Sequence, residues 1–162
     1  MQVRDYQVIR LVERIGEHYR ANIANRFIRP VLLQLPLEKQ AWDNIEILTE
    51  KLEQFRHQGF DLIELYQQVT ALAHFVSLTR REIVPGLRNR INNIGSISSG
   101  SDRVLRDMAV NNFSSNLQLF AEMVDELYHT LIELDAKNTK GRRPLYLQVP
   151  ELQGVSGLLA EG

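Results

Sequence analysis

An all-α fold is what this chain predicts: an antiparallel bundle of four or five helices with coiled-coil-like heptad packing and an extended C-terminal tail. Three observations lead there. Val110, Phe113, Leu117, Phe120, Val124, Leu127, Leu131 and Leu134 follow one another at alternating steps of three and four, which places them on one stripe of one long helix. Three upstream stretches carry stripes of the same kind. No region is rich in strand signals.

The first helix is expected over 3–28. Val8, Val12, Ile15, Tyr19, Ile23 and Phe27 recur at steps of three or four. Arg29-Pro30 interrupts it, because a residue before proline avoids the α region. Residues 31–35 then read as a short apolar connection. A second helix starts at Pro36, where the missing N–H costs nothing. Ala41, Ile45, Leu48, Leu52 and Phe55 form its stripe, and Gly59 ends it.

The third helix has the clearest start. Asp61 can cap it, and Glu64 stands three residues on, the spacing of a capping box. Leu62, Leu65, Val69, Leu72, Val76 and Ile83 make the stripe, with Thr79 filling a gap. Pro85-Gly86 breaks it, and a short piece continues over 87–94. A Ser/Gly-rich loop over 95–101 follows, with Ser101 or Asp102 able to cap what comes next. The last helix, 103–137, would be roughly 50 Å long at 1.5 Å per residue. The kinked pair 61–94 matches that length, so these two should form an antiparallel hairpin completed by the earlier helices.

These elements make one domain, a helical bundle over 1–140. The tail, 141–162, is different in kind. Pro144 and Pro150 bracket Leu145, Tyr146, Leu147, Gln148 and Val149, and Leu152, Val155, Leu158 and Leu159 follow among glycines. It is too apolar to be a solvated tail. It is expected to be covered by its own bundle, a second copy or another protein. Leu145, Tyr146, Leu147, Val149 and Leu152 are the residues it would use to dock.

Composition narrows the chemistry. With no cysteine there is no disulfide, no thiol nucleophile and no thiolate metal site. A reducing, cytoplasmic setting is the expectation. No apolar run approaches the roughly 18 residues of a membrane span, so no membrane insertion is expected. The N-terminus lacks the apolar stretch of a secretory signal. Net charge is −1, but the charges segregate: 122–135 carries five acids and no lysine or arginine, whereas 80–106 carries six arginines and two acids. Such separation orients a docking partner or a second copy.

No catalytic constellation emerges. Glu126 and His129 form a single Glu-x-x-His, whereas helical di-iron sites need two such motifs and two further glutamates. Glu53 and His57 supply no second one. His74 lies off the apolar stripe but lacks the flanking residues of a phosphorelay histidine. His18 and His57 read as surface residues. Trp42 and Tyr66 read as edges of the core. No strand–turn–helix elbow presents a serine.

The function expected is therefore non-enzymatic, without metal or cofactor: an interaction, adaptor or scaffold protein that self-associates through helix faces and docks its tail. The alternative is binding of nucleic acid or another phosphate by Arg88, Arg90, Arg103 and Arg106 around the 95–101 loop. A helix N-terminus there attracts anions. It is not favoured, because the chain lacks a basic excess and the Gly-Lys-Ser/Thr element of a phosphate loop.

Overall fold

The computed structural model describes residues 2–3, 5–34, 60–94, 100–137 and 141–160. The fold is all-α. In chain order, α1 (Tyr6–His18) runs into a π-helical turn, Tyr19–Ile23, and α2 spans Arg29–Leu32. Next come α3 (Leu62–Glu82), a 3-10 turn over Val84–Gly86, α4 (Leu87–Ile94) and the long α5 (Gly100–Lys137). The tail supplies α6 (Leu145–Gln148), a 3-10 turn over Pro150–Gly154, and α7 (Val155–Ala160). Two-residue strands, β1 (Gln2–Val3) and β2 (Phe60–Asp61), pair antiparallel and tie the N-terminus to the start of α3. The expected second helix and its stripe, Glu53, His57, Trp42 and the 95–99 part of the loop lie outside the described residues.

Local chemistry explains the boundaries. Asp5 caps α1 by accepting a hydrogen bond from the Val8 N–H at 3.1 Å, so the helix starts later than Val3. Its regular winding stops at His18, where the backbone widens and the Ala24 N–H reaches back five residues to the Tyr19 carbonyl at 2.8 Å. Asn25 then turns the chain, its Oδ1 accepting from the Phe27 and Ile28 N–H groups. Pro30 sits in the first turn of α2, where its missing N–H is harmless. Asp61 caps α3 through the Ile63 N–H, and the Pro85 break falls where expected. Helix α5 begins at Gly100, so Ser101 and Asp102 lie within its first turn rather than before it.

Helices α3 and α5 form an antiparallel pair whose contacts advance in opposite directions. Tyr66 meets Leu131 and Asp135, and Arg80 meets Gln118; beyond the Pro85 break, Arg88 of α4 meets Asn111. From Phe113 to Leu131 the predicted stripe of α5 is buried; its end members Val110 and Leu134 are partly covered. At the centre, Tyr19, Phe75 and Phe120 bring one ring each from the π turn, α3 and α5, with centroids 5.8–6.2 Å apart. Such tilted and edge-to-face packing adds to the burial of the rings.

The tail departs from the sequence expectation. It is not extended but folds into short helical turns: Pro150 is the first residue of one, where a fixed φ assists the turn, and Pro144 stands at the cap position before α6. It runs antiparallel along the C-terminal half of α5 and packs on α3. Leu152, Val155 and Leu159 are buried in the common core. The tail is a layer of the same hydrophobic core as the bundle.

Candidate functional site

Three regions could carry function: the tail, the arginine group and the N-terminal half of α5.

The tail is held by a buried carboxylate. Asp135, near the end of α5, is fully buried. Its Oδ1 accepts from the Leu145 N–H at 3.1 Å, and its Oδ2 accepts from the Tyr146 N–H and the Tyr66 hydroxyl, both at 2.9 Å. Pro144 precedes α6 and has no side-chain oxygen, so Asp135 reaches across from α5 to do the capping. Two further bonds fix the rest. The Tyr128 hydroxyl donates to the Leu152 carbonyl at 2.5 Å, and the Arg80 guanidinium to the Leu159 carbonyl at 2.6 Å. Burial, followed by the Asp135 bond and charge, raises the Tyr66 hydroxyl far above the usual tyrosine range. Tyr128 is raised by burial and then by Asp125.

This arrangement redistributes the expected docking residues. Leu152 is sealed inside the chain's own core and cannot touch another protein. Leu145 and Tyr146 are half-buried with their amides committed to Asp135. Leu147 and Val149 remain exposed. The tail residues together with α3 instead wall a cleft of about 320 Å³.

The arginines are brought near acids and amides of the chain itself. Arg88 donates to Asn111 Oδ1 at 2.6 Å and lies 3.8 Å from Asp107. Arg106 lies 3.4 Å from the same carboxylate. Asp102, at the α5 start, pairs with Arg26 at 2.7 Å. The Asp102 charge thus occupies the helix terminus where an anion would bind, and Asp107 offsets Arg88 and Arg106. Arg103 is exposed, and Arg90 is half-buried near Gly86.

The third region was not singled out by residue in the sequence. No residue of α5 before Phe113 is buried. Val104, Leu105 and Met108 are exposed, Met108 at 54 %, and Leu119 is exposed further along. Leu105, Met108, Asn112 and Asn116 face Asn22 and Asn25 across a groove of about 400 Å³. Arg26 roofs its end, stacked on the Phe27 ring at 4.5 Å. His18, which the sequence placed on the surface, ties two residues of the lining together. It is half-buried, donates from Nε2 to the Asn116 carbonyl at 2.7 Å and accepts from Asn22 at Nδ1. The sequence carries no signal that assembles this groove, only the asparagines and outward apolar residues of 104–116 that make one of its sides.

The residues weighed for metal or phosphoryl chemistry stay apart. Glu126 and His74 are exposed, and His129 faces Asp125 at 3.4 Å on the outer surface. Among the described residues no three histidines or acids gather as metal ligands, and no helix is long and apolar enough to cross a membrane. The chain matches no family model, and no curated protein or solved structure matches it.

Proposed function

We propose that this protein is a non-enzymatic interaction module that self-associates through the outer face of the N-terminal half of α5. One observation supports the reading above others. Val104, Leu105 and Met108 are exposed together on a stretch of α5 with no buried residue. Apolar side chains grouped this way mark an interaction surface, whereas single ones are ordinary.

The groove beside them adds a recognition element. Asn112 and Asn116 are one helical turn apart, about 6 Å along the axis. An asparagine amide offers a donor and an acceptor, as a peptide group does. A helix face of this kind can pair with its own copy about a two-fold axis, because each copy presents the same patch. The tail takes no part as a docking arm, since its anchor residues are used within the chain.

Sedimentation velocity over a concentration series is the test. The wild-type chain should shift from monomer towards dimer. Leu105→Glu combined with Met108→Glu should remain monomeric with an unchanged helical spectrum, because both positions are solvated in the monomer. A wild-type chain that stays monomeric at millimolar concentration overturns the proposal, as does a dimer that survives both substitutions.

A further inference from the structure

The cleft between α3 and the tail is independent of the α5 face. We infer that it binds a small apolar cation, an alkyl or aryl amine. Its volume of about 320 Å³ lies within the span of small-ligand sites. It is roughly twice the size of a cavity that takes benzene, which suits a ligand of eight to twelve or so heavy atoms.

The lining defines the chemistry. One wall is a single face of α3, with Ile63, Tyr66, Gln67 and Thr70 at helical spacing. The other is the tail, with Leu145, Val149 and Leu152 beside Glu151. The hydroxyls in this lining are committed elsewhere. Tyr66 donates to Asp135 and to the Leu131 carbonyl, and Thr70 donates to the Tyr66 carbonyl at 2.8 Å. The cleft therefore meets mainly carbon, with the Gln67 amide and the Glu151 carboxylate as the remaining polar side chains. Glu151 is exposed and makes no ion pair among the described residues. An apolar body would displace water from Ile63 and Val149, while an ammonium head meets Glu151 and a carboxylate head is repelled.

Charge complementarity selects this occupant over an uncharged or anionic one of the same shape. The probe is n-octylammonium, titrated into the full chain below its aggregation threshold and followed by amide chemical shifts, with n-octanol and octanoate as comparators. Saturable shifts confined to 60–70 and 145–152 are expected, strongest for octylammonium and weakest for octanoate. Glu151→Gln should weaken octylammonium about fivefold, to the level of octanol, and leave octanol unchanged. Ile63→Ser should weaken both, and both positions are exposed, so neither substitution threatens folding. Octanoate binding as well as octylammonium, or shifts spread over the whole surface, would overturn the assignment. So would the same amides shifting when the chain alone is concentrated, since a second copy would then fill the cleft.

Discussion

Asp135 shows how one residue joins two parts of the chain. A fully buried carboxylate is costly unless donors surround it, and this one has two backbone N–H groups and a phenol. Asp135→Ala leaves those donors without their acceptor and should destabilise the fold by about 3 kcal/mol in urea unfolding. Asp135→Asn keeps the shape but turns an amide donor towards other donors, so it should restore less than half of that loss. The phenols give a pH dependence of definite sign. Tyr66 and Tyr128 hold their protons more tightly in the folded chain than an unfolded tyrosine does near pH 10. Their contribution is complete below that pH and is lost as the pH rises beyond it, because the unfolded chain then releases protons the folded chain retains. Unfolding free energy should fall steeply above about pH 10, and Tyr66→Phe should flatten that fall. Asp135 was hidden in the sequence because an acid within an acidic run reads as a solvated face. Gln68 was hidden for a related reason: it is buried with a side-chain oxygen that has no partner among the described residues, and polar identity alone does not reveal such a site.

At the scale of elements, what was legible was whatever periodicity controls. The α5 ladder from Phe113 to Leu131 and the α3 stripe are buried as read, including Thr79 in its gap, because a 3.6-residue helix must bury its apolar stripe. The Pro85 break and the Asp61 cap were legible through backbone chemistry that depends on one or two residues. The π turn was written in the sequence but not read. Ile15, Tyr19, Ile23 and Phe27 are spaced by four each time, and successive steps of four drift around a regular helix. Widening the turn at Tyr19–Ile23 helps keep Tyr19 and Ile23 in the core. The tail is less legible, because prolines flanking an apolar run suggest extension, whereas Pro150 opens a 3-10 turn and Pro144 stands at the cap of α6. At the first position of a turn, proline favours helix instead. The groove at 105–116 was illegible, since it needs the turn at 24–28 to lie beside α5, and no pattern within either segment specifies that approach.

For the whole molecule, the tail is the decisive feature. Its burial turns Leu152 into core, leaves Leu147 and Val149 exposed, and completes one wall of the cleft for which an amine is proposed; the outer face of α5 is the surface proposed for self-association. Packing of Leu152, Val155 and Leu159 against α3 and α5 makes the tail part of a single cooperative unit. Residue-resolved hydrogen exchange on the full chain tests this most directly. The Leu145 and Tyr146 amides, bonded to Asp135, should exchange as slowly as amides in the middle of α3, and Asp135→Ala should release them. Exchange of those two amides at the rate of an unstructured peptide, while α3 and α5 stay protected, would contradict the account and return the tail to the role of a free docking arm.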